Sequence, residues 1–481
     1  MKQRHEHFHI NKLRKRYDRG TGKFTFSIAY ETATDPTPRT LAVAEAFGLG
    51  IDETQKFTLY DNIQLKIGPT DVVLITGDSG SGKSVLLKAI ESDLHPHAAD
   101  VADLTIEQDK PIVETLGATL NEAIELLSKV GLNDAFLFLR RYRELSDGQK
   151  YRYRLAKLAE TKKQWWMIDE FCSLLDRDTA KIVAFNVQKL ARQAGKAVIA
   201  ATTHADLLED FNPSVHVHKR FGQEITVNYQ QNAAKSECSL TKEMRIEKGT
   251  TEHYKKLSHL HYRSKRCPPP RAIFTLKRND ELCGAIVYSY SPPVTFGRNK
   301  TWQGTLSQLQ KNFSTISRII IHPKYRTIGL GAKLVRETLP LAGTPHVETL
   351  AVMAKYNPFF EKAGMQRVAE STPSRHVQDA LSQLQQAGFD LHMLGSTAHN
   401  ARVLQHAATP EVLAALENLS RRQSSLRKRL LSLSQAYPTH EDFVQKLATL
   451  RIDDLAAVLK RLSFLAQTKV YLTWSRERKE T

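Results

Sequence analysis

Gly77-Asp78-Ser79-Gly80-Ser81-Gly82-Lys83-Ser84 has the spacing G-x-x-x-x-G-K-S. It follows the apolar run Val72-Val73-Leu74-Ile75 and leads into Val85-Leu86-Leu87-Lys88-Ala89-Ile90. That is the strand–loop–helix setting in which such a loop binds phosphate. Gly77, Gly80 and Gly82, with Ser79 between them, let successive backbone N–H groups turn inward around phosphate oxygens, and the helix N-terminus adds partial positive charge. Lys83 would reach the β- and γ-phosphates, and the Ser84 hydroxyl would ligate Mg²⁺. Farther on, Gln164-Trp165-Trp166-Met167-Ile168-Asp169-Glu170 is an apolar strand ending in two carboxylates. Asp169 is placed to hold Mg²⁺ and Glu170 to polarise an attacking water.

A second anion-binding pattern lies in Ser317-Arg318-Ile319-Ile320-Ile321-His322-Pro323-Lys324-Tyr325-Arg326-Thr327-Ile328-Gly329-Leu330-Gly331-Ala332. A β-branched strand breaks at Pro323, and a glycine-bearing loop opens an amphipathic helix, again presenting backbone amides to an anion. Ahead of it, Phe274-Thr275-Leu276 and Cys283-Gly284-Ala285-Ile286-Val287-Tyr288 read as a hairpin across a polar connection.

The elements that carry these residues imply an α/β chain of several domains. The 481 residues are 41% hydrophobic and 25% charged, the composition of a globular protein with more than one core. Residues 1–40 read as a basic extension, 41–230 as a first α/β domain, 240–370 as a second, α+β domain, and 371–481 as a mainly helical extension. Leu413, Leu416, Leu419, Leu426, Leu430 and Leu433 recur at helical spacing. No run of 18 apolar residues spans a membrane, the N-terminus has no secretory pattern, and the four cysteines are scattered. A cytoplasmic protein without a membrane partner is expected. The formal charge of +18 favours a polyanionic partner.

Arg143-Glu144-Leu145-Ser146-Asp147-Gly148-Gln149-Lys150 lies ahead of the acidic strand and resembles the LSGGQ signature of ABC-type ATPases, with Asp147 in place of the first glycine. Ser173-Leu174-Leu175-Asp176 resembles their D-loop, and His204 after Val198-Ile199-Ala200-Ala201 resembles their switch histidine. The resemblance implies ATP and Mg²⁺, with Gln108 as a Q-loop residue near the metal and Tyr60 or Phe57 against adenine. It also implies a homodimer through the ATPase domain, in which Ser146 and Gly148 of one copy cover the ATP held by the other. The short interval between Lys83 and Ser146 leaves a small arm, which disfavours transport.

Arg326-Thr327-Ile328-Gly329-Leu330-Gly331 resembles motif A of the GNAT acetyltransferases, and Asn357-Pro358-Phe359-Phe360-Glu361-Lys362-Ala363-Gly364-Met365 resembles a later stretch of that family. The resemblance implies acetyl-CoA or a related acyl-CoA. Its pyrophosphate would rest on Arg326, Gly329, Gly331 and Ala332, and its pantetheine arm along Ile321. Tyr356 is the candidate acid, with Tyr262, Ser317, Arg318 and Glu348 as other candidates.

His261-Tyr262-Arg263-Ser264-Lys265-Arg266-Cys267-Pro268, Gly284-Ala285-Ile286-Val287 and Ser289-Tyr290-Ser291-Pro292-Pro293 loosely resemble the Mom-type proteins of phages, GNAT-like enzymes that modify adenine in DNA. Cations and aromatic rings alternate at His253-Tyr254-Lys255-Lys256 and from His259 to Arg266, a pattern that can pair with phosphates and stack on an unpaired base. The expectation is therefore an ATP-dependent enzyme modifying a base in DNA or, second, in structured RNA such as tRNA. The alternative is an ATP-sensing defence or toxin protein acetylating a protein or an aminoacyl-tRNA.

Overall fold

The computed structural model describes residues 10–32, 36–49, 55–261, 267–352, 354, 357–406, 409–432 and 438–476. Three antiparallel strands, β1 (Ile10–Asp18), β2 (Lys23–Thr32) and β3 (Gln55–Lys66), form a sheet in that order. Phe24, Phe26 and Ile28 are buried, while Thr25 and Ser27 between them are partly exposed. This period of two is what a strand with one buried face requires. The basic extension expected at the N-terminus is thus corrected over residues 10–32, where the chain is paired sheet. Lys15 ties the sheet to the helix after the phosphate loop through Asp93 at 2.8 Å.

The nucleotide domain is built on β4 (Val72–Gly77), β5 (Ala98–Asp100), β6 (Trp165–Ile168), β7 (Ala197–Thr202), β8 (Val215–Lys219) and β9 (Ile225–Tyr229). Their order is β5-β6-β7-β4-β8-β9, parallel except for β9. β4 and β6 are apolar runs because helices cover both faces of the sheet. The phosphate loop and the paired carboxylates leave the same, C-terminal edge, from strands separated only by β7.

The second domain adds β10 (Met244–Lys248), β11 (Pro270–Arg278), β12 (Glu281–Tyr290), β13 (Phe313–Ile321), β14 (His346–Ala351), β15 (Gln366–Ser371) and β16 (Lys469–Ser475). The order is β10-β11-β12-β13-β14-β16-β15. The expected hairpin is β11–β12. β16 inserts antiparallel between β14 and β15, so the helices between Arg375 and Leu465 lie between two strands of the sheet. The expectation of a helical extension over 371–481 is corrected accordingly: its residues 469–475 belong to the sheet. The helices keep a core of their own around Leu416, Leu419, Phe443 and Leu459, and Leu426 and Leu430 join it, whereas Leu433 lies outside the described residues.

The helix Arg177–Gln193 of the nucleotide domain buries Ile182 and Phe185 in the core of the second domain, beside Phe274, Leu276 and Tyr325. Burying such a side chain contributes about 1.5–3 kcal/mol. The two domains are therefore packed against each other through apolar surface as well as through polar contacts.

Candidate functional site

The phosphate loop is built so that its glycines are needed. A Cβ on Gly77, where φ is 147°, would lie 1.9 Å from the Lys219 carbonyl oxygen. On Gly82, at φ 102°, it would lie 2.3 Å from a methyl carbon of Leu59. Lys83 is buried, and its ammonium donates to the Gly77 carbonyl at 2.9 Å and to that of Asp78. Burial pulls its pKa below the ordinary lysine value, and Asp169 and Asp78 only partly oppose this. Ser79, Gly80 and Ser84 are exposed at the mouth of the loop. The buried Ser81 hydroxyl, which sequence reasoning passed over, has no hydrogen-bond partner among the described residues. An orphaned hydroxyl, a lysine folded onto loop carbonyls and a sterically enforced cradle fit a triphosphate with Mg²⁺. Gly77→Ala is expected to weaken ATP binding at least about tenfold, because the backbone must shift out of its cradle; titration with a fluorescent ATP analogue checks it.

Asp169 and Glu170 follow β6 as expected. Glu170 is exposed at φ 48°, and its backbone N–H donates to the Asp169 carboxylate at 2.9 Å. His204, after β7, is held below the ordinary imidazole value by burial and by Arg177, against the pull of Asp206. It therefore stays neutral at pH 7 and can accept a hydrogen bond. Gln108 is exposed on the irregular segment after β5. One feature was missed in the sequence: Glu91, Asp100 and Asp103 bring carboxylate oxygens within 4.8 Å of one another. Burial raises the Asp100 carboxyl, and Asp103 and Asp169 add to the rise. Their spacing in sequence is irregular, so only the sheet brings them together.

Tyr60 is corrected as an adenine platform. It is fully buried, and its hydroxyl donates to the Gly82 carbonyl at 3.0 Å, so it props the phosphate loop from below. Phe57 is 54% exposed and keeps its ring free for stacking. In the signature, Ser146 is the N-cap of the helix Asp147–Glu160, and both Ser146 and Asp147 face solvent. Gly148 packs on the D-loop, where a Cβ would meet Leu175 at 3.3 Å and the Leu174 carbonyl at 3.4 Å. Among the described residues nothing buries Ser146, and Leu174, near Gly148, is 61% exposed.

In the second domain β13 and β14 run parallel but pair only from Phe313–His346 to Thr315–Glu348. Beyond that the strands part, and among the described residues the edge of β13 toward Ile321 has no strand partner on that side. An extended amide-bearing arm could pair with such an edge. Gly329, at φ 87°, opens the helix Leu330–Thr338, and a Cβ there would meet nothing within 4 Å. Gly329 is thus exposed at the start of the helix, whereas Gly331 and Ala332 behind it are half-buried, Gly331 beside Phe359. Arg326 is placed differently from expectation. Its guanidinium donates to the carbonyls of Ile321 (2.9 Å) and Asn133 (2.5 Å), so its side chain braces the loop against the nucleotide domain.

Three further candidates resolve into structure. Glu348 is fully buried and accepts from Arg298 at 2.6 and 2.9 Å, Thr315 at 2.9 Å and Tyr471 at 3.0 Å. With all four donors in place it is a framework group. The Ser317 hydroxyl is bonded to Ser289 at 2.7 Å and to the Val287 carbonyl. Arg318 donates to the Ser317 carbonyl. Tyr254 is buried, which removes it from the set of stacking rings. Tyr356 and residues 262–266 lie outside the described residues.

A P-loop cradle with an exposed signature, followed by a sheet whose two middle strands part beside a glycine turn, defines a two-site protein. The family model described as ABC transporter matches residues 60–110, and that of the acetyltransferase (GNAT) family matches residues 239–365. The chain joins an ABC-type ATPase domain to a GNAT acetyltransferase domain. It is 28% identical over 164 residues to the cytochrome c biogenesis ATP-binding export protein CcmA of Gluconobacter oxydans, across 31% of this chain and 74% of that protein. It is 26% identical over 149 residues to the ribosome protection protein VmlR of Bacillus subtilis, across 31% of this chain and 26% of that one. Among solved structures, the ATP-binding cassette MJ0796 bound to ADP and Pi aligns over 37% of this chain and 93% of its own, at 18% identity and a TM-score of 0.31. No helix among the described residues is long and apolar enough to cross a membrane.

Proposed function

We propose that the chain is an ATP-dependent enzyme that transfers an acyl group from acyl-CoA to a base of a nucleic acid, DNA first and structured RNA such as tRNA second. The observation that carries the coupling is the contact between the two sites. Asp178, two residues beyond the D-loop aspartate, accepts from Lys324 at 2.7 Å and Arg278 at 2.8 Å, and Thr327 of the CoA loop accepts from Asn186 at 2.9 Å. Burial alone would raise the Asp178 carboxyl, but the hydrogen bonds from Lys324 and Arg278 outweigh it and hold the group below its ordinary value. The carboxylate therefore stays charged at neutral pH, and the D-loop side of the ATPase is fastened to the loop that would hold CoA.

Within the ATPase, Lys83 and the loop amides would hold the phosphates, Ser84, Asp169 and Gln108 would hold Mg²⁺, and Glu170 would polarise the water, with His204 as a further polar group. When bound, Mg²⁺ supplies charge neutralisation between the β- and γ-phosphates. The exposed Ser146 face supports closure by a second copy, so ATP binding would drive a homodimer. In the transferase, the amine of the acceptor forms a C–N bond to the acyl carbon while the C–S bond of the thioester breaks. A base takes the amine proton and an acid returns one to the CoA thiolate, the role suggested for Tyr356.

The charge of +18 supports a nucleic-acid substrate. The likeness to a ribosome protection protein supports keeping RNA as the second choice. Nucleosides from cells with and without the chain, measured by mass spectrometry, test the reading: a new acylated base lost in a Lys83→Ala variant is expected. Unchanged DNA and RNA together with an acetylated protein would move the assignment to a protein acetyltransferase.

A further inference from the structure

The acyl-CoA loop is not bounded by its own domain alone. The helix Arg177–Gln193 of the ATPase lies along it, with Asn186 bonded to Thr327 and Phe185 buried in the transferase core. One turn beyond Asn186 on the same helix face stands Lys189, half-buried, with its ammonium 5.0 Å from the centre of the Phe185 ring. Lys362, whose charge acts on Lys189, ends the helix Phe359–Lys362, and the Phe359 ring of that helix lies 3.6 Å from where a Cβ on Gly331 would be. Neither Lys189 nor Lys362 forms an ion pair among the described residues, whereas Lys129 nearby is neutralised by Glu125 at 2.8 Å. Burial and then the charges of Lys362 and Lys129 depress the Lys189 pKa, so like charges are held together here at a cost in the free protein. Such a pair, next to an open helix N-terminus at Gly329, is suited to an anion that brings several negative oxygens at once.

We propose that Lys189 of the ATPase domain and Lys362 of the transferase domain jointly bind the phosphate groups of the acyl-CoA, making the ATPase helix one wall of the transferase's cofactor site. The proposal rests on the acyl-CoA reading above. Nucleic-acid phosphate offers the same chemistry, but the helix that carries Lys189 is bonded to Thr327 of the CoA loop, and the helix that ends at Lys362 lays Phe359 beside Gly331, which places CoA first.

Binding to the full chain is measured by calorimetry with two probes, acetyl-CoA and S-acetylpantetheine, the latter lacking every phosphate. Lys189→Met is expected to weaken acetyl-CoA binding about 10- to 100-fold, to leave S-acetylpantetheine unchanged, and to keep the melting temperature. Lys189→Arg retains affinity and Lys362→Met shows a comparable loss. Wild-type affinity in Lys189→Met overturns the proposal while the acyl-CoA reading stands. Failure of the wild-type chain to bind acetyl-CoA at all sinks both. Loss of oligonucleotide binding with acetyl-CoA binding intact would assign the lysines to nucleic acid and overturn it as well.

Discussion

A Glu170→Gln chain is expected to hydrolyse ATP about 10²- to 10⁴-fold more slowly, the range lost when a general base is removed, and to bind ATP as before. The carboxylate stands exposed at the end of β6, and its own backbone N–H is engaged by Asp169, so the amide replaces it without disturbing the Mg²⁺ side of the site. Lys83, Ser84 and the loop glycines are untouched, which leaves the phosphates held. With hydrolysis blocked, the proposed homodimer is expected to accumulate, because each bound nucleotide would add contacts between copies and nothing would discharge it. Light scattering of the variant with ATP and Mg²⁺ should show twice the mass found without nucleotide. Undiminished turnover would mean that another carboxylate orients the water, and Asp100, raised by burial and by its neighbours, is the first to test.

The second large effect is on stability. Glu348→Ala is expected to destabilise the transferase domain by about 3–5 kcal/mol, because it leaves the Arg298 guanidinium buried without its counter-charge. The side chains of Arg298 and Glu348 are 6% and 0% exposed, and the Pro292 and Pro293 carbonyls hold the arginine from the other side. The hydroxyls of Thr315 and Tyr471 lose an acceptor in the same step. Urea titration followed by tryptophan fluorescence measures the loss, since Trp474 stands on β16 beside this network. Replacing both charges, Glu348→Leu with Arg298→Met, should recover part of it, as buried pairs exchanged together for apolar groups often cost little. A catalytic Glu348 would instead give a stable, inactive Ala variant.

The two glycine loops were legible because their backbone calls for glycine: Gly77 and Gly82 leave no room for a Cβ, and Gly329 sits at φ 87°. The central strands were legible because β4 and β6 are buried on both sides and carry almost nothing polar. The first strands were obscured by charge: basic residues dominate 10–23, and the alternation of Phe24, Phe26 and Ile28 is short. β16 was missed because its partners on β14 lie more than a hundred residues earlier, and its pattern follows a long helical stretch. Tyr60 and Phe57 are near neighbours on one strand, and only the placement of Leu59 and Gly82 decides which is buried. The roles of Arg326, Asp178 and Lys189 depend on contacts between domains, for which local spacing carries no signal.

The place of β16 between β14 and β15 orders the birth of the protein. During translation the nucleotide domain has all of its strands by Tyr229, whereas the later sheet has a gap until Ser475 emerges. The helices from 375 to 465 are made before the strand that fills that gap, and they have a core on which to collapse meanwhile. An early stop codon between residues 371 and 469 would therefore leave a nucleotide domain with all of its strands attached to an unfinished sheet, with the open flanks of β14 and β15 exposed to other chains.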